Sequence, residues 1–106
     1  KLIIVFQSHL YSRTKEFHKE FSNVLSKADV VILTDIYGAR EEKIDGINSE
    51  LILEDLKCKK SCVLPKSKIP SKVASICNES DMVIVMGAGD IRSLTNKISN
   101  EIQGIL

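Results

Sequence analysis

Apolar and polar positions fall into two kinds of block along this chain. The first kind is a short unbroken apolar run: Leu2-Ile3-Ile4-Val5-Phe6, Val30-Val31-Ile32-Leu33, the weaker Ser61-Cys62-Val63-Leu64, and Met82-Val83-Ile84-Val85-Met86. Runs of this length, apolar on both faces and rich in β-branched residues, predict strands covered on both sides. The second kind has helical spacing. Phe17, Phe21, Val24, Leu25 and Ala28 place one core face on a helix from about Ser12 to Ala28. Asn48 or Ser49 suits the N-cap of a short helix reaching about Lys57, with Leu51, Ile52 and Leu56 inward. Pro70 fits the first turn of a third helix that ends near Asn78 and turns Val73, Ile76 and Cys77 inward. Ile91, Leu94, Ile98 and Ile102 share one face of a fourth, from Ile91 to about Gln103. The stretch 34–47, with Gly38 and Gly46, reads as a long polar loop.

Strand and helix therefore alternate four times. Strands joined by crossover helices imply an α/β fold: a Rossmann-like three-layer α/β/α domain with a mostly parallel sheet and right-handed crossovers. The 106 residues suit a single domain. The sequence starts within a strand, so we expect residues 1–106 to be a fragment of a larger protein.

Composition narrows the partners. Fifteen Lys and Arg stand against fourteen Asp and Glu, for a net charge of +1, which argues against a mainly electrostatic nucleic-acid or membrane binder. Lys57, Lys59, Lys60, Lys66 and Lys68 form a local basic cluster, read as a solvated turn region. No apolar run approaches the roughly 20 residues of a membrane span, and Leu2 to Phe6 is too short for a signal-peptide core. Three cysteines, Cys58, Cys62 and Cys77, cannot all pair within the chain, which points to reduced thiols and a cytoplasmic location. Their spacing does not match a zinc site, and no residue is assigned to a metal. Cys62 and Cys77 read as small buried hydrophobes.

Candidate chemistry gathers where strands end, which in open α/β sheets is where ligands bind. After the first strand come His9, Tyr11 and Arg13 within five residues. A helix N-terminus favours an anion, and a guanidinium there adds a bidentate clamp for carboxylate or phosphate. After the second strand comes Asp35-Ile36-Tyr37-Gly38-Ala39-Arg40-Glu41-Glu42, on the same sheet edge if the strands are parallel. After the fourth comes Gly87-Ala88-Gly89-Asp90, read as a tight turn with Asp90 as N-cap; the third glycine of a dinucleotide fingerprint is missing. His18 is expected on the exposed part of the first helix. No Gly-x-x-x-x-Gly-Lys-Ser/Thr loop is present to cradle a triphosphate.

These residues carry a resemblance. Phe6-Gln7-Ser8-His9-Leu10-Tyr11-Ser12-Arg13-Thr14 resembles the Phe-Gln-Pro-His-Arg-Tyr-Ser/Thr-Arg-Thr motif of the UDP-N-acetylmuramate–L-alanine ligases (MurC), members of the Mur ligase family. Asp35-Ile36-Tyr37 with Ala39, Glu41, Gly46 and Ser49 is similar to their Asp-Val-Tyr-x-Ala-Gly-Glu loop. Val85-Met86-Gly87-Ala88-Gly89-Asp90-Ile91 is similar to their Met-Gly-Ala-Gly-Asp-Ile turn. The likeness runs over essentially the whole chain, with three motifs in order.

The resemblance implies part of the C-terminal domain of a three-domain ligase in peptidoglycan synthesis. The domain's first strand and helix, and the two upstream domains, would lie outside this chain. It implies ATP and Mg²⁺ as cofactors, held mainly by the central domain, and UDP-N-acetylmuramate and L-alanine as substrates joined through an acyl phosphate. It places His9, Arg13, Tyr37 and Glu41 at the substrate, and implies that the fragment alone is inactive. Four positions depart from the pattern: Leu10 stands for an arginine, Ser8 for a proline, Arg40 for a glycine and Lys43 for a proline. Ser8 is expected to loosen the approach to His9, and Arg40 to replace the charge lost at Leu10. Two alternatives share the fold: a ligase of the same family that recycles murein peptides, and a non-catalytic Rossmann-like binding module.

Overall fold

The structure, a computed structural model, describes residues 1–87 and 89–105. Four strands and four helices alternate: β1 (Leu2–Gln7), α1 (Tyr11–Leu25), β2 (Val30–Leu33), α2 (Glu50–Glu54), β3 (Lys60–Val63), α3 (Ile69–Ile76), β4 (Met82–Gly87) and α4 (Leu94–Ile105). Short 3-10 turns at Lys66–Lys68 and Gly89–Ser93 lead into α3 and α4. The strands form one sheet in the order β3-β2-β1-β4, with every neighbouring pair parallel. This is the α/β architecture that the apolar runs predict.

Side-chain alternation on β1 builds the layers. Ile3 and Val5 point to one face, with Val30 and Ile32 of β2, and meet Ile69 and Val73 of α3 and Leu94 and Ile98 of α4. Ile4, Val31 and Leu33 point to the other, against Leu25 at the end of α1, Ala28, and Ile52 of α2. Each such side chain, fully removed from water, contributes about 1.5–3 kcal/mol. Chain direction reverses its march across the sheet between β1 and β4, so the topological switch point lies beyond the carboxyl ends of these strands.

Several expectations are corrected. The inward face of α1 is Thr14, Ser22 and Leu25, whereas Val24 is 59% exposed and Phe17 39%. Leu25 and Ala28 lie in the core as expected, with Phe21 packed against it. Ser22 takes the inward place because its Oγ lies 2.8 Å from the carbonyl oxygens of His18 and Ile52, joining α1 closely to α2. Phe17 and Phe21 form an aromatic row along the helix, with Phe21 packed on Phe6 at 5.5 Å between ring centroids. His18 is half-buried rather than exposed, and its Nδ1 is buried without a partner. Cys62 and Cys77 are half-buried, and burial pushes the Cys62 thiol up.

Helix ends also differ. α2 stops at Glu54; Asn48 accepts the Glu50 N–H at 3.0 Å, while Ser49 donates its hydroxyl to the Thr34 carbonyl at 2.5 Å and so anchors the helix start to the end of β2. The last helix is not capped by Asp90. A 3-10 turn from Gly89 to Ser93 intervenes, and the Asp90 carboxylate accepts from Lys66 Nζ. Of the Gly87-Ala88-Gly89-Asp90 turn, Ala88 lies outside the described residues.

Candidate functional site

Beyond β1 the chain does not leave the sheet at once. Tyr37 N–H donates to the Ser8 carbonyl at 2.9 Å, and Leu10 N–H to the Tyr37 carbonyl at 2.8 Å, so His9 and Tyr37 form one more parallel bridge. The loop after β2 is thereby stitched to the loop after β1. Their rings follow: His9 and Tyr37 stack with centroids 5.8 Å apart and planes 23° from parallel. Gly89, from the loop after β4, lies against the same tyrosine. A β-carbon there would fall 2.9–3.0 Å from three Tyr37 ring atoms, and its φ of +78° is left-handed, so glycine satisfies both demands. Three strand-end loops thus meet at Tyr37.

Leu10 is the strained link. It has φ 68° and ψ 136°, a region that costs a non-glycine residue about 1–3 kcal/mol. Its neighbours hold it there. Its carbonyl accepts both Thr14 N–H at 3.1 Å and the Thr14 hydroxyl at 2.9 Å. With that hydrogen spent, Ser8 is the donor in the buried 2.6 Å contact between the Ser8 and Thr14 hydroxyls. Ser8 does not loosen the approach to His9: it is 1% exposed and ties the strand end to α1 through a bond proline could not make.

The structure brings His9, Tyr37 and Glu41 to one edge and sets Arg13 beside them, exposed on the first turn of α1. Glu41 accepts the Ser12 N–H at 3.1 Å and the Ser12 hydroxyl. These bonds hold the Glu41 carboxyl below the usual carboxylate range, with a smaller contribution from His9. Arg40 is exposed.

Sequence reasoning missed the floor of this edge. A cleft of about 540 Å³ opens beyond β1, β2 and β3, and Gln7, Thr34, Tyr37, Glu41, Lys43 and Lys66 are among its walls. Gln7 and Thr34 are 2% and 1% exposed. Gln7 Nε2 donates to the Asp35 carbonyl at 3.0 Å, leaving Gln7 Oε1 and Thr34 Oγ1 buried and without partners. Each is the first polar residue after an apolar run, and that abrupt change is the signal that could have marked them. Lys66 enters from β3 and is paired with Asp90. Among the described residues no three or more His, Cys, Asp or Glu side chains gather into a metal-holding group, and no helix is long and apolar enough to cross a membrane.

No family model matches the chain. Curated relatives do. The UDP-N-acetylmuramate–L-alanine ligase of Streptomyces avermitilis is 43% identical over 101 residues, covering 92% of this chain and 22% of that protein. The ligase of the same name from Rhodococcus jostii is 43% identical over 98 residues, 92% of this chain and 20% of its own length. That of Streptomyces coelicolor is 40% identical over 105 residues, 96% and 23%. The chain spans about a fifth of the length of these relatives. Over that span it is similar to the UDP-N-acetylmuramate–L-alanine ligases.

Proposed function

We propose that this chain is the C-terminal portion of an ATP-dependent ligase that joins L-alanine to UDP-N-acetylmuramate in peptidoglycan synthesis, in the cytoplasm. The observation that carries the reading is the convergence of His9, Tyr37 and Glu41 at the carboxyl edge of the parallel sheet, beside Arg13. The curated relatives' names support it.

Roles follow from position. The Arg13 guanidinium, free of any ion pair among the described residues, serves as the clamp for a carboxylate or phosphate oxygen. His9, steadied by its stack on Tyr37, orients the amino acid by hydrogen bonding. Tyr37 joins the three loops that line the edge, and Glu41 belongs to the same edge through the loop it holds. The residues here do not fit the cofactors: no phosphate-cradling glycine loop and no gathered metal donors are present among the described residues. ATP and Mg²⁺ would be held by parts of the ligase outside this chain, with the upstream domains as partners.

In the full-length ligase, Arg13→Ala is expected to lower kcat/KM for L-alanine by roughly 100-fold, about what a lost charge clamp at a developing anion costs. Circular dichroism should remain native, because Arg13 is exposed. Unchanged kcat/KM would remove Arg13 from the site. Ligation of a murein tripeptide in preference to L-alanine would assign the chain to a recycling ligase instead.

A further inference from the structure

We propose that Glu41 is a positioning residue: its carboxylate clamps Ser12 at the start of α1, fixing the loop after β2 and, through Tyr37, the ring of His9. The kinetic half of this proposal rests on the ligase reading above. The structural half does not.

α1 begins poorly by its own sequence. Its N-cap position is Leu10, which offers no side-chain bond, and its first turn contains no acid. Free N–H groups there attract a negative charge. Glu41 supplies it from 29 positions away, accepting both the Ser12 N–H and the Ser12 hydroxyl. Those bonds occupy both carboxylate oxygens. A carboxylate has about four acceptor sites, so these two bonds leave others open, and the variants below separate the hold on Ser12 from direct contact with substrate.

The hold reaches His9 by a short path. Glu41 N–H closes a turn onto the Gly38 carbonyl at 2.8 Å, with Ala39 at φ 53°. The turn lies flat on the helix start: a β-carbon on Gly38 would fall 2.6 Å from Tyr11 Cε2. Tyr37 is the next residue back, with its backbone bonded to Ser8 and Leu10 and its ring stacked on His9. Releasing Glu41 therefore frees one side of the tyrosine that sets the imidazole. Three short links, each of named atoms, separate Ser12 from His9.

The test has two arms. In the full-length protein, the selectively labelled His9 ring protons are followed by NMR, since stacking on Tyr37 shifts them from the free-imidazole position. Tyr37→Ala calibrates the full loss of that shift. Glu41→Ala is expected to lose more than half of it, while methyl resonances of Ile3, Val5 and Ile32 stay native. Glu41→Gln, which keeps an acceptor oxygen for Ser12, should retain most of it. An unchanged His9 shift in Glu41→Ala with those methyls native would overturn the proposal, whatever the enzyme does.

In the full-length ligase, Glu41→Ala should raise KM for the amino acid roughly tenfold or more, with kcat less affected, since small misplacements of a positioning group cost on this scale. Ser12→Ala combined with Glu41→Ala should be no worse than Glu41→Ala alone, because the two residues act as one unit. Equal losses in Glu41→Gln and Glu41→Ala, with additive Ser12→Ala, would make Glu41 a direct ligand group and defeat the assignment. If the NMR arm succeeds and no variant of the intact protein ligates anything, the ligase reading fails and the clamp stands.

Discussion

At the scale of the residue, Leu10 concentrates the tension of the site. Its positive φ is held by bonds on either side, from Leu10 N–H to Tyr37 in the loop after β2 and from Thr14 of α1 to the Leu10 carbonyl. Leu10→Gly should therefore stabilise the chain by about 1 kcal/mol, the relieved strain exceeding the extra freedom glycine gives the unfolded chain. Urea denaturation monitored by circular dichroism measures this, and a lower midpoint in the glycine variant would show that the backbone there is unstrained. Legibility at this scale was uneven. His9, Tyr11, Arg13 and Tyr37 stood out because titratable and aromatic side chains followed apolar runs directly. Gln7 and Thr34 did not, because an amide or a hydroxyl at a strand end is chemically ordinary until its burial and missing partners are known. Nor could spacing reveal that Ser8 and Thr14 share a buried bond, since that depends on how the chain turns at Leu10.

Elements were legible where periodicity alone decides them. β1, β2 and β4 lie where the apolar runs put them; β1 and β2 are covered on both faces, whereas the edge strand β4 leaves Met82 and Met86 exposed. Helix faces were less so. Val24 and Phe17 are expected inward, but Val24 is exposed and Phe17 partly so, since packing against α2 favours the small, bonded Ser22. Caps were the least legible, because partners come from distant sequence: Glu41 caps α1, and Lys66 engages the Asp90 carboxylate in an ion pair. The α1 cap has a consequence for acid stability. Glu41 is held below its ordinary value, so its contribution is present above the ordinary carboxylate range and is lost as pH falls through the depressed folded value. Asp81, bonded to Lys1 and the Asn78 N–H, adds a loss of the same sign. The stability gap between the parent chain and Glu41→Gln should accordingly be largest near neutral pH and close below pH ~4, in urea titrations run at stepped pH. A gap that widens on acidification would contradict the ionised cap.

For the whole molecule, the sheet order puts the first strand in the middle and the last at an edge. The order was not readable from the runs themselves, which fix where strands are but not which neighbour each selects. β1 and β4 pair in parallel along their full length, from Leu2 against Met82 to Gln7 against Gly87, although about eighty residues separate them. Force applied between the amino end of β1 and the carboxyl end of β4 would pull these two strands lengthwise past each other. Their hydrogen bonds would then share the load together rather than open one at a time. In single-molecule stretching the chain should rupture in one high-force event, and Ile84→Pro, which removes a donor on the side of β4 where Met82 N–H bonds the Lys1 carbonyl, should lower the force more than the same change at exposed Val24.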